Sequence, residues 1–164
     1  MARCLIIACG CRGIELGREI GSTGHAVRGT TRNLRRVGQL EGAGIEGVVG
    51  DPDRVATLAA AFEHVTVACL LLGSVAASAE QVATLHSSRL RMLLGRMLDT
   101  TIRGIVYEAN GSAPRAVLES GASIVQKACE HSRIPYALLR ADPGEHGAWL
   151  EEASEAAAGL LRAG

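Results

Sequence analysis

The residues best suited to hold a ligand stand near the start of the chain. An apolar run, Leu5-Ile6-Ile7, leads into Ala8-Cys9-Gly10-Cys11-Arg12-Gly13, a GxGxxG pattern with alanine in first place. Each position has a physical role when a strand precedes the pattern and a helix follows it. The first residue turns the chain sharply at the strand end, and alanine is small enough to serve there if its φ is negative. Gly10 lets the backbone approach a pyrophosphate, and Gly13 lets the helix pack closely on the strand. The helix then presents free N–H groups and the positive end of its dipole to phosphates. The expected cofactor contacts in this loop are Ala8, Gly10, Cys11, Arg12 and Gly13. The competing reading is a glycine-rich turn that only packs helix on strand.

An NAD-selective site carries Asp or Glu at the end of the second strand, about 20 residues after such a loop, to bind the ribose 2′-hydroxyl. This chain reads Arg28-Gly29-Thr30-Thr31-Arg32-Asn33 there, with no carboxylate. Arg32 is a planar donor suited to a phosphate, and Thr31 and Asn33 can add hydrogen bonds. Arg35 and Arg36 deepen the positive field. The segment predicts a 2′-phosphate pocket, hence NADP(H) over NAD(H). The same missing acid argues against S-adenosylmethionine. A solvated basic turn is the plainer alternative.

Other chemistry is sparse. The five cysteines include no CxxC pair, and Cys4, Cys9 and Cys69 sit in apolar runs as small core residues. Reduced thiols are expected. Cys11 stands apart, because a thiol at a helix N-terminus can have a lowered pKa. His25, His64, His86, His131 and His146 show no metal-ligand spacing, so no metal is expected. Ser74 and Ser112 fall near strand ends where ligands sit in such sheets, but neither has an assigned base. Glu145 and His146 fall over the same edge without being marked by any pattern.

These residues need strands and helices to position them. Short aliphatic runs at 4–8, 26–30, 44–49, 64–72, 104–107 and 136–139 read as strands. Helices are expected over 14–20, 53–62 with Asp53 as N-cap, 79–99, 114–131 with Pro114 in its first turn, and 149–162, with a turn and short helix over 31–38. Such alternation predicts an α/β fold with a doubly wound parallel sheet of six strands in the order 3-2-1-4-5-6. It fills the chain as a single domain, 1–164, with no residues left for a separate substrate domain.

Composition narrows the function classes. Net charge is zero and aromatics are nearly absent, so neither a basic stripe for duplex nucleic acid nor a stacking platform for single strands is present. No apolar run approaches the roughly 20 residues of a membrane span. The start of the chain lacks the layout of a secretory signal, and a cytoplasmic protein is expected. A homodimer is a candidate through Leu85, Met92 and the Leu93-Leu94 pair, which could equally pack on the sheet.

Taken together, these stretches resemble the extended and atypical short-chain dehydrogenase/reductase group, near the NAD-dependent epimerase/dehydratase and NmrA-like proteins. The resemblance is carried by residues 5–13, by Gly29-Thr30-Thr31-Arg32, by Val48-Val49-Gly50-Asp51-Pro52-Asp53 and by Leu70-Leu71-Leu72-Gly73-Ser74. It continues through Ile105-Val106-Tyr107-Glu108-Ala109-Asn110-Gly111-Ser112 and Ile134-Pro135-Tyr136-Ala137-Leu138-Leu139-Arg140, so it covers about 3 to 142. It implies that Asp51 contacts adenine and that Leu72, Gly73 and Asn110 line the cofactor. It also exposes departures. The group's reductases use a Tyr-x-x-x-Lys pair on the helix before strand six, with Tyr as general acid/base. Here that helix carries Lys127 with Ser123 in the tyrosine's place, and the group's Ser or Thr after strand five falls near Ala109-Asn110.

Three readings follow. The first is an NADP(H)-binding protein of this type without the Tyr-Lys pair, serving a regulatory or ligand-binding role. The second is an active NADP-dependent oxidoreductase or epimerase/dehydratase with a non-standard acid/base. The third is a fold that binds no nucleotide and serves a protein partner. The expected partners are the dinucleotide and a small-molecule ligand, not nucleic acid or a membrane.

Overall fold

Strand β1 (Arg3–Ile7) is the centre of the structure because its residues are apolar on both faces. Leu5 and Ile7 enter one core, and Cys4 and Ile6 enter the other, as the two-residue period of a strand requires. The computed structural model describes residues 1–163; Gly164, the end of the expected domain, lies outside them. The chain continues through α1 (Cys11–Ser22), β2 (Ala26–Thr31), a 3₁₀ turn (Leu34–Arg36), α2 (Val37–Gly42) and β3 (Glu46–Val49). A 3₁₀ crossover (Val55–Phe62) leads to β4 (Val67–Leu70), α3 (Ala79–Leu85), α4 (Ser88–Leu98), β5 (Ile105–Glu108), α5 (Arg115–Ser132), β6 (Tyr136–Leu139) and α6 (His146–Ala163).

The six strands form one parallel sheet in the order β3-β2-β1-β4-β5-β6, with Cys4 beside both Val27 and Val67. This is the doubly wound α/β arrangement expected from the alternation. Right-handed crossovers put α1 and α2 on one face and the 3₁₀ crossover, α3, α4 and α5 on the other. That leaves β4 to β6 bare on the α1 face, and α6 covers them. Its inward residues Trp149, Ala153, Ala157, Leu160 and Leu161 recur at helical spacing and pack with Val67, Cys69 and Val106.

Several local expectations are corrected. The helix expected over 14–20 begins earlier, at Cys11, so the second half of the glycine pattern, Cys11 to Gly13, is already part of it. The 53–62 segment is 3₁₀ and Asp53 does not cap it, because the helix begins at Val55 with Arg54 as its N-cap, and the Asp53 carboxylate pairs with Arg89 at 3.5 Å instead. Pro114 is the N-cap of α5 instead of its first-turn residue. The 79–99 stretch is two helices. A reciprocal Ser78–Gln81 capping box starts α3, and the break falls at His86-Ser87. Leu85, Leu93 and Leu94 are buried in the core of their own chain, so of the offered dimer stripe Met92 alone is exposed.

Candidate functional site

The loop after β1 is held by its neighbours before it holds anything else. Ala8 turns the chain with φ +61°, against the condition set for alanine there; the left-handed conformation costs roughly 1–2 kcal/mol. The turn is tied to β2 by Thr30, whose hydroxyl accepts the Ala8 amide at 3.1 Å and whose carbonyl accepts the Cys9 amide at 2.8 Å. Cys9 tucks its sulfur beneath the loop, against the Cα positions of Gly13 and Gly29. A Cβ on either glycine would stand 3.0 Å from that sulfur. Gly13 therefore performs the close packing expected of it. Burial pushes the Cys9 thiol up to about 12, so it stays a neutral core group.

Gly10 differs. It is the N-cap of α1 in extended backbone, and a Cβ there would meet nothing within 4 Å. No side chain caps the first turn and no acid stands in it. Its N–H groups therefore face open space.

That space is a cleft of about 310 Å³. Its floor is the loop itself, Ala8 through Gly13. One wall is Thr30, Thr31, Arg32 and Arg36, another is Gly50 and Pro52, and the far end is Leu71, Ser74 and Val75. Arg32 is exposed and Arg36 half-buried, and among the described residues no carboxylate pairs with either. Arg28 leaves the basic cluster: it is buried, binds Glu46 at 3.0 Å, and donates to the carbonyls of Ala61 and Glu63. Thr31 and Asn33 shape the turn, since Thr31 Oγ1 accepts the Asn33 amide and Asn33 Oδ1 the Arg35 amide.

Asp51 lines a small adjoining cavity of about 80 Å³ with Arg32, Pro52, Val75, Gln81 and Leu85. Leu72, Gly73 and Asn110 do not line the cleft. Leu72 is buried, and its carbonyl accepts from His86 at 2.9 Å. Asn110 donates to the Arg140 carbonyl and lines a separate cavity of about 380 Å³ with Arg115, Glu119 and Arg140. Ser123 and Lys127 line a groove between α4 and α5 that shares no residue with the cleft.

A buried carboxylate that is not among the expected site residues closes β5. Glu108, at the end of β5, is fully buried and accepts from the Gly73 amide (2.9 Å), Trp149 Nε1 (2.9 Å) and the Arg12 guanidinium (3.3 Å). Every one of these partners donates, which suits the ionised form. Burial pushes its pKa up, against the pull of Arg12, Gly73 and Trp149. Arg12 also lies 5.3 Å from the centre of the Trp149 ring. One signal was available: a charged residue closing an apolar strand, Ile105-Val106-Tyr107-Glu108, must find partners when buried.

A second buried pair joins Tyr107 and His86, 2.5 Å apart. The Leu72 carbonyl can only accept, so His86 Nε2 carries the hydrogen and Nδ1 accepts from the tyrosine. Both residues are buried and neither faces the cleft. His146 pairs with Glu15 of α1 at the surface. Among the described residues, no metal-ligating group of three comes together, and no helix is long and apolar enough to cross a membrane.

No family model and no curated protein sequence matches this chain. Solved structures do match. Vestitone reductase from alfalfa (Medicago sativa L.) is 15% identical, with TM-score 0.64 over 84% of this chain and 56% of its own. Triphenylmethane reductase from Citrobacter sp., complexed with NADP(H), is 18% identical, with TM-score 0.65 over 85% of this chain and 49% of its own. UDP-glucose 4-epimerase from Bifidobacterium longum, in complex with NAD+ and UDP, is 12% identical, with TM-score 0.66 over 85% and 52%. The chain thus spans about half the length of these structures. At such identities the likeness concerns the fold: this chain has the doubly wound architecture of these reductases and epimerases.

Proposed function

We propose that this protein binds NADP(H) in the cleft over Gly10, in a regulatory or ligand-binding role that does not use the Tyr-Lys chemistry of reductases. The observation that carries this reading is the bare first turn of α1, opening onto a cleft whose rim holds two arginines without carboxylate partners. The site lies where such sheets take ligands, outside the carboxyl ends of the strands where their order reverses. The Gly10 cradle suits the pyrophosphate. Arg32 and Arg36 suit the 2′-phosphate, and no acid stands at the end of β2 to claim a ribose hydroxyl. Asp51, with apolar Pro52, Val75 and Leu85, offers a seat for adenine. Besides its arginines, the cleft's titratable side chains are Cys11 and the buried, neutral Cys9, which leaves it without a general acid or base of the usual kind.

Thermal unfolding with NADPH, with NADH and without ligand tests the reading. Ligand at about 100 times its dissociation constant adds about 2.7 kcal/mol to the folded state. For a domain of this size that is a rise of roughly 5–10 °C in Tm. The expected result is such a rise with NADPH and a smaller one with NADH at equal concentration. A larger rise with NADH overturns the role of Arg32, and no rise with either overturns the cofactor.

A further inference from the structure

The cleft stops at Val75. Its lining comes from the first four strands and the loops that follow them, with nothing from beyond that residue. What stops it is a wall built from backbone and buried charge. The loops after β4 and β5 are stitched together: the Gly73 carbonyl accepts the Ala113 amide, and Ser74 Oγ accepts the Ser112 amide, both at 3.1 Å. They approach so closely that a Cβ on Gly73 would overlap the Asn110 carbonyl, and one on Gly111 the Gly73 carbonyl. Beside this seam stands the Arg12–Glu108–Trp149 cluster, with Glu108 and Trp149 fully buried. Moving any member would leave a buried charge or donor unpaired. The cavity at the ends of β5 and β6, near Asn110 and Arg140, lies beyond the wall and shares no lining residue with the cleft.

We infer that the site recognises only the 2′-phosphoadenosine diphosphate half of its ligand, and that the described residues build no seat for the nicotinamide half beside it. The inference rests on the nucleotide reading above and narrows it. The ligand class becomes 2′-phosphorylated adenosine diphosphates, of which NADP(H) is one member. The cleft's unpaired polar features serve that half: the Gly10 cradle, Arg32 and Arg36. The second nucleoside of a bound dinucleotide extends along the surface of the wall into solvent. This accounts for a cleft with no acid or base and for the placement of Leu72, Gly73 and Asn110 away from it.

The test is calorimetric titration of the full chain with NADPH, 2′-phospho-ADP-ribose and reduced nicotinamide mononucleotide. The expected result is that NADPH and 2′-phospho-ADP-ribose bind within about fivefold of each other, while the mononucleotide gives no measurable heat. A seated nicotinamide ring would add more than that to affinity. NADPH tighter by more than about fivefold, or heat from the mononucleotide, overturns the inference while leaving the cofactor in place. Absence of binding by both NADPH and 2′-phospho-ADP-ribose overturns the nucleotide reading itself. Nicotinamide emission serves as a second readout. Bound NADPH should emit like free NADPH, and an enhanced, shifted emission would place the ring in a pocket and contradict the inference.

Discussion

The carboxyl edge of the sheet divides into two regions of opposite character. Around β1 and β2, polar groups are left facing outward: the first-turn amides of α1, Arg32 and Arg36. Around β5 and the start of α6, polar groups are satisfied internally: Glu108 by three donors, Ser74 by Ser112, Tyr107 by His86. The first region leaves donors open to the cleft, which is what the proposed nucleotide would use. The second commits most of its polar groups to the fold, with Arg12 Nε, among the described residues, the one buried donor of its cluster left without a partner. Substitutions on the two sides should therefore affect different measurements.

The largest effect is expected on the closed side. Glu108→Ala leaves Arg12, the Trp149 indole and the Gly73 amide without their acceptor. Breaking a buried pair costs about 3–5 kcal/mol, and the lower end applies because the Arg12 side chain is still 31% exposed. A Tm lower by roughly 6–12 °C should appear in thermal unfolding without ligand. An unchanged Tm would dissolve the contrast between the two regions.

Arg32→Ala should do the reverse. Its apo Tm should stay within error of the parent. Affinity for NADP(H) should fall by about 1.5–3 kcal/mol, the scale of a charged hydrogen bond, with NADH binding unaffected. Equal losses for NADPH and NADH would mean that Arg32 serves the pyrophosphate instead.

Acid should also find the closed side. Burial lowers the His86 pKa from its ordinary 6.5, so the folded protein refuses a proton that the unfolded chain accepts. Stability should fall as pH drops below 6.5 and level off once the folded value is passed. In His86→Gln that descent should be shallower by one titrating group, measured as Tm against pH. An identical profile in both proteins would remove His86 from the account.

The smallest effect belongs to Ala8. Glycine relieves the left-handed strain but loosens the unfolded chain, so Ala8→Gly should stabilise by about 0.5–1 kcal/mol. The corresponding rise in Tm is about 1–4 °C. A fall would show that the Ala8 methyl packs favourably enough to offset its φ.

What the sequence disclosed follows the same division. The strand-loop-helix unit and the close packing of Gly13 were legible because they depend on neighbours within that one unit. The strand order was legible because each aliphatic run ends in glycine or polar residues. The break at His86 was hidden, since apolar spacing runs on from Leu85 to Leu90; the break exists because His86 must reach Leu72 and Tyr107. The Glu108 cluster was hidden for a related reason. It joins residues 96 positions apart, and no local pattern marks a carboxylate that will meet Arg12 and Trp149. Asp53 failed as a cap because the helix starts one residue later than its pattern suggests, and its carboxylate pairs with the distant Arg89.

The central claim is that a phosphate group seats against Gly10, and a substitution there tests it most directly. A side chain at Gly10 enters open space from extended backbone, so Gly10→Val should fold, losing about 1 kcal/mol as a poorer N-cap. Its branched side chain would occupy the cradle itself. Calorimetric titration with NADPH should give clear binding for the parent protein and none for the folded variant. Equal binding by both proteins would contradict the account, because the dinucleotide would then be held somewhere other than over Gly10.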